Sequence, residues 1–155
     1  MEKTTITILC ENRASLTKNI MGEHGFSAFV EQNGKKILLD TGQGLGLKPN
    51  AKTLGIDLDQ IDTIVLSHGH YDHTGGLSQL LPFAQKTRVI AHPDIFIPKY
   101  FHEKDNLNKK FSYIGSTFSR DTLENDPNCE LILQKNFIKI SDGIFFSGQV
   151  PRITD

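Results

Sequence analysis

The stretch from Ile64 to Leu77, IVLSHGHYDHTGGL, constrains this chain more than any other. It holds three of the six histidines, His68, His70 and His73, with Asp72 among them, directly after an apolar run. A continuous apolar run of this length reads as a strand buried on both faces, and two glycines follow the polar cluster. His68 and His70 are two residues apart, so an extended backbone points both imidazoles the same way. Asp72 and His73 follow as the chain turns, and Gly75-Gly76 let the backbone bend into a helix. Four such side chains can converge on one small volume. Neutral imidazoles and a carboxylate are ligands that zinc accepts, and manganese or iron tolerates them too. The competing reading is a solvated loop carrying surface histidines, but strand exits in α/β folds are where ligand-binding groups collect.

The flanking pattern supports an α/β layered architecture. TTITILCEN alternates as a first strand. GFSAFVEQNGKKILLDTG reads as a hairpin around Asn33-Gly34. LKPNAKTLGIDLDQI predicts a short helix with Pro49 in its first turn and Gly55 as its stop, followed by a loop. GGLSQLLPFAQK predicts a helix ended near Pro82, and RVIAH a second buried strand, together a parallel crossover unit. Residues 93–128 predict a short helix broken at Pro98 and then a polar loop, a stretch expected to serve as a lid or insert. ELILQKNFIKISDGIFFSGQV restores a strand meander, with turns at Lys135-Asn136 and Asp142-Gly143.

Composition narrows the partners. Lys and Arg number 17 against 18 Asp and Glu, so no global basic field recommends nucleic acid. No apolar run approaches the roughly 18 residues of a membrane helix, and the N-terminus lacks a signal-peptide pattern. Cys10 and Cys129 are far apart and not in metal-like spacing. Two buried, reduced thiols in a cytoplasmic setting are expected, with a Cys10–Cys129 bridge left open.

SHGHYDHTGGL resembles the signature of the metallo-β-lactamase superfamily of metallohydrolases. TILCEN, GEHGFSAFVE, ILLDTGQ, IVLSHGHYDHTGGL and IAHPDIF, in this order, resemble one subgroup more closely. It comprises the 7,8-dihydropterin-6-methyl-4-(β-D-ribofuranosyl)-aminobenzene 5'-phosphate synthase-like proteins. The likeness runs to about residue 100 and resumes at SGQVPRITD. It implies the N-terminal half of an αβ/βα sandwich, with a mixed sheet and helices on one face. It also implies a binuclear site, His68 and His70 ligating one divalent ion and Asp72 and His73 the other, zinc first and manganese or iron as substitutes. Asp72 would also orient the attacking water. Asp40, at the end of ILLD, matches an aspartate that holds a ligand imidazole in its tautomer, although a turn-former before Thr41-Gly42 would also account for it.

The activity implied is water attack on a small phosphorylated, ester or cyclic substrate, with pterin-related synthase chemistry among the options. A histidine at position 70 favours hydrolysis, and an iron-dependent sulfur dioxygenase is the redox alternative. Glu23 and His24 border the active site in this subgroup, and His92 lies beside the substrate opening, so all three are substrate-contact candidates. A surface loop or a strand-end cap explains each as well. Phe96, Tyr100 and Phe101 could stack on a flat heterocycle near Lys99, Lys104, Lys109 and Lys110, and Arg152 could reach an anion; a packed helix face and solvated lysines are the plainer account. Two metals need more than four protein ligands. Residues 1–155 are therefore expected to be an incomplete domain whose second half comes from the same chain, another chain or a homo-oligomeric neighbour. The alternative to an enzyme is a catalytically inert metal-binding half-domain that needs its second half.

Overall fold

The structure is a computed structural model that describes residues 3–14, 19–104 and 109–151. The side chains of Lys104, Lys109 and Lys110, and the whole of Arg152, lie outside the described residues, so the expectation of an anion near them is not addressed.

Alternation in TTITILC forms β1 (Thr4–Cys10), which pairs antiparallel with β2 (Ser27–Gln32). The chain reverses through Asn33-Gly34, at φ +53° and +73°, into β3 (Lys35–Leu39). This is the positive-φ pair that a two-residue hairpin turn requires. Helix α1 (Leu47–Thr53) follows, with Pro49 in its first turn. It closes as expected at Gly55, whose N–H bonds Lys52 O while Ile56 N–H bonds Ala51 O, a paired cap around a left-handed residue. Then come β4 (Thr63–Leu66), α2 (Tyr71–Thr74), β5 (Thr87–Ala91), β6 (Tyr100–Lys104), β7 (Lys109–Tyr113), α3 (Arg120–Glu124), β8 (Cys129–Leu133), β9 (Ile138–Ser141) and β10 (Ile144–Phe146).

The main sheet runs β1-β2-β3-β4-β5-β8. Its first three strands are antiparallel, and β3, β4, β5 and β8 are parallel. Successive residues of a strand face opposite sides, so β4 and β5 divide between two cores. On one side Phe29, Leu38, Ile64 and Val89 line up across the sheet. They pack under Leu47 and Ala51 of α1, Leu77, Ile95 and Leu123 of α3. On the other side Ile37, Val65 and Ile90 pack under Ile138, Ile140, Ile144 and Phe146 of the β9–β10 hairpin. Helices therefore lie on one face of a mixed sheet, as expected. Each fully buried aliphatic side chain contributes about 1.5–3 kcal/mol. The β9–β10 hairpin covers only the centre of the second face. Ile6 and Ile8 on β1 remain exposed, and Phe137 stacks on Phe145 at 5.2 Å on the exposed side of the hairpin.

Two segments differ from the sequence reading. The helix expected after the histidines begins earlier, at Tyr71, and tightens to a 3-10 turn over Gly75–Gln79. Gly75 and Gly76 serve close approach rather than bending. A Cβ on either would stand 2.2 Å from the carbonyl oxygen of Gln43 or Thr41. The described residues of 93–128 are more regular than the expected polar loop. They form a 3-10 turn (Pro93–Phe96), the two-stranded β6–β7 arm and α3. Aromatic residues favour strands, and Tyr100 pairs across the arm with Tyr113, so the short helix expected before Pro98 is present as the 3-10 turn while the expected loop after it gives way to strands. Phe96 packs on Phe118 instead of joining Tyr100 and Phe101, which are exposed.

Cys10 and Cys129 are free and lie on strands at opposite edges of the sheet, which closes the question of a bridge within the chain. Cys10 is buried and Cys129 only half-buried, so the expectation of two buried thiols holds for the first. Among the described residues, no helix is long and apolar enough to cross a membrane.

Candidate metal centre

The site is built where parallel strands end side by side. Asp40 leaves β3, Ser67 and His68 leave β4, and His92 leaves β5. Asp40 N–H bonds Val65 O at 2.8 Å, which locks the first two exits together.

Asp40 is buried and sits at φ +53°, a left-handed conformation that costs energy for any residue other than glycine. Its Oδ1 accepts the Ser67 N–H at 2.7 Å. Its Oδ2 accepts the Ser67 hydroxyl at 2.6 Å and lies 2.8 Å from His73 Nδ1. Because the Ser67 proton goes to Asp40, Ser67 Oγ accepts from His68 Nδ1 at 2.9 Å. The network thus assigns the Nδ1–H tautomer to both His68 and His73, leaving an Nε2 lone pair on each. One carboxylate sets the tautomer of two imidazoles. His68 Nε2 is 3.0 Å from His70 Nδ1, and the ring centroids of His68 and His73 are 4.2 Å apart. Burial first, then the neighbouring His73 and His70, lower the pKa of His68 and favour the neutral imidazole a metal requires.

Asp72 and His73 ride on the first turn of α2. Asp72 Oδ2 lies 3.8 Å from His73 Nε2 and 3.3 Å from His24 Nε2. The turn is stitched to its neighbours through backbone: Thr41 N–H bonds His73 O at 2.7 Å, and Phe26 N–H bonds Asp72 O at 3.3 Å. His68, His70, Asp72 and His73 are thus gathered on one patch, with Asp40 behind them.

Among the described residues, no three donors have the spread of a ready metal cage. The reason is visible in the histidine pair. At 3.0 Å, His68 Nε2 and His70 Nδ1 are hydrogen-bonded to each other, whereas two nitrogens on one tetrahedral zinc stand about 3.3 Å apart. The donor chemistry nonetheless fits a divalent ion. Lone pairs on His68 and His73 are fixed by Asp40, and a half-buried carboxylate stands beside them.

The remaining candidates divide. His24 is exposed but touches Asp72, so it borders the cluster. Glu23 is buried and engaged within the chain. Its carboxylate accepts the backbone N–H groups of Gln43, Gly44, Leu45 and Gly46 at 2.8–3.5 Å. That arrangement holds the loop leading into α1 and leaves no oxygen directed at a substrate. His92 Nδ1 accepts the Asp94 N–H at 3.1 Å, and its Nε2 is buried without a partner among the described residues. His92 is on the wall of a cleft of about 580 Å³ that it shares with Ser67, His68, Gly69 and Lys99. Leu39, Val65 and Phe146 form the apolar side of that cleft. Sequence reasoning missed Ser67, although a serine directly before the first histidine was in plain view.

Residues 21–146 match the family model described as the metallo-beta-lactamase superfamily. The chain is 37% identical over 150 residues to uncharacterized protein MJ0448 of Methanocaldococcus jannaschii, covering 95% of this chain and 54% of that protein. It is 30% identical over 158 residues to the 7,8-dihydropterin-6-methyl-4-(beta-D-ribofuranosyl)-aminobenzene-5'-phosphate synthase of the same organism, covering 97% and 52%. The chain spans about half the length of these curated relatives. A solved diphosphatase from the PhnP family superposes with a TM-score of 0.53 at 19% identity, covering 90% of this chain and 54% of that one, a likeness of fold.

Proposed function

Because the chain belongs to the metallo-β-lactamase superfamily, whose members bind divalent metals, usually zinc, we propose that it carries the ligand-bearing half of a metal-dependent hydrolase. In this reading His68 and His70 take one divalent ion and Asp72 and His73 a second. The substrate is a small phosphorylated, ester or cyclic molecule. The observation that carries the proposal is the convergence of His73, directly, and His68, through Ser67, on a single buried carboxylate, Asp40, which keeps the proton on Nδ1 of each ring and the lone pair on Nε2.

A bound divalent ion supplies the charge that acidifies water near neutral pH and polarises a phosphoryl or carbonyl oxygen. The rest of the work falls to the chain. Asp40 holds protons on the Nδ1 atoms of His73, directly, and His68, through Ser67. Asp72 would orient the attacking water, and His24 Nε2, 3.3 Å from Asp72 Oδ2, steadies that carboxylate. The cleft beside His68 receives the substrate and sheds water from its apolar side. Identity of 30% with the dihydropterin-linked synthase supports a phosphorylated substrate, with pterin-related synthase chemistry as one form of the reaction.

Elemental analysis of the zinc-loaded chain, together with hydrolysis of a phosphodiester reporter, tests this reading. Close to two ions per chain, turnover abolished by EDTA and loss of both in His68→Ala are expected. Turnover by metal-free protein rejects it. A second reading is supported by the count of donors, since four from this chain fall short of the roughly three protein ligands each catalytic zinc uses. In that reading the remaining donors come from a second half, in the same chain, another chain or a neighbouring copy. One ion or none, without turnover, favours it.

A further inference from the structure

We propose that Lys99 is the anion-binding residue of the cleft beside His68, taking a phosphate or diphosphate group of the substrate; this rests on the hydrolase reading above and narrows its substrate class.

Lysine side chains ordinarily reach into water on a flexible stem, and their ammonium groups are solvated. Lys99 is held differently. It is half-buried, and its Nζ donates to Ile97 O at 3.1 Å and Asp94 O at 3.3 Å. Asp94 O is itself positioned, because Ile97 N–H closes the 3-10 turn onto it, and the backbone of Lys99 is anchored by Ile114 N–H, which bonds Lys99 O at 2.9 Å. An ammonium has three N–H donors. Two meet backbone oxygens, and the third has no protein acceptor among the described residues. No carboxylate pairs with Lys99 among the described residues either. Asp94, on the wall of the same cleft, has its carboxylate 3.7 Å from His92 Nδ1.

The 3-10 turn that carries the two carbonyls packs against Gly69, the residue between the two histidines. A Cβ there would stand 2.9 Å from Lys99 Nζ and 2.2 Å from Ile95 O. Only glycine lets the 3-10 turn and the ammonium close against the histidine turn. A cation held by two backbone carbonyls, without a carboxylate partner among the described residues and on the wall of the cleft that His68 also lines, favours an anion of two charges over a neutral ester. The cleft then has a division of labour: the histidine cluster for the reacting bond, Lys99 for a phosphate, and Leu39, Val65 and Phe146 for the apolar remainder.

The test uses methylenediphosphonate, which does not hydrolyse, titrated into the full chain with and without zinc and followed by amide chemical shifts. Saturable shifts at Gly69 and around Lys99 are expected. Lys99→Met should weaken the dissociation constant at least tenfold in both conditions, and Lys99→Arg should keep it within about threefold by restoring the charge. Lys99→Gln serves as a second neutral variant if the methionine does not fold. Unchanged affinity in a folded neutral variant, or shifts that fall away from Gly69, overturns the assignment. The two proposals fail separately. Diphosphonate binding through Lys99 in a chain that takes up no metal removes the hydrolase and keeps the subsite. Metal uptake and turnover with diphosphonate affinity indifferent to Lys99 removes the subsite and keeps the hydrolase.

Discussion

Asp40 Oδ2 and His73 Nδ1 meet at 2.8 Å across 33 residues of sequence, and the same carboxylate holds the Ser67 hydroxyl that fixes His68. Asp40→Asn keeps the size but replaces one acceptor oxygen by a donor, so the Ser67 N–H, the Ser67 hydroxyl and His73 Nδ1–H can no longer all be accepted. Zinc affinity should fall roughly 10–100-fold, the usual effect of removing a group that orients a metal-bound histidine. Competition with a chromophoric chelator reads this directly, and an unchanged affinity would remove Asp40 from the site.

Glu23 predicts a different phenotype, in stability. Glu23→Ala strips its acceptors from four backbone N–H groups at residues 43–46 and should cost about 3 kcal/mol. Glu23→Gln, which retains one acceptor oxygen, should cost less. Urea denaturation of the two variants gives the order, and equal loss in both would contradict the geometry.

Both thiols should react slowly. Burial, then the Asp126 charge, pushes the Cys129 thiol up to about 11, and burial with the adjoining Glu23 carboxylate raises Cys10 further still. At pH 8 alkylation by iodoacetamide should be slow in the native chain and fast in denaturant. The sign for stability follows. Between the unfolded thiol pKa near 9 and about 11, the native state keeps a proton that the unfolded state has lost. Cys129 therefore contributes stability fully below pH 9, and that contribution falls away as pH rises toward 11. A Cys129→Ala chain should lose less stability over that interval.

The two faces of the sheet should respond unequally to truncation. Ile64 is fully buried beneath the helices, and Ile64→Ala should cost about 3–4 kcal/mol. Ile6 is 64% exposed at the edge strand, and Ile6→Thr should stay within about 0.5 kcal/mol. Thermal unfolding of the two variants measures the contrast.

Much of this arrangement is legible along the chain because its signals are local. Alternation marks β1 and β2, Asn33-Gly34 marks their reversal into β3, and the apolar run before Ser67 marks a strand buried on both sides. The spacing of His68, His70, Asp72 and His73 announces a shared patch before any tertiary contact is known. What the spacing does not carry is partner choice at long range. Glu23 reads as a loop residue because its partners, the amides of residues 43–46, are backbone and have no sequence identity of their own. Gly75 and Gly76 read as hinges because the carbonyls they admit belong to another loop. The β6–β7 arm is missed for a third reason: its aromatics are diluted by charged and Asn residues that favour turns, Pro98 stands directly ahead of it, and pairing between Tyr100 and Tyr113 decides the outcome.

The loops around Phe26, Thr41 and His73 are tied by their own main chains, through Phe26 N–H to Asp72 O, Thr41 N–H to His73 O and Gly76 N–H to Gly42 O. Three stretches distant in sequence should therefore open as a single cooperative unit. Amide exchange at Thr41 and Phe26 should share one opening free energy, and ion uptake at the histidines should slow both together. The patch is held by main chain, so any affinity it has for an ion should depend on the interlocked loops as much as on any one side chain.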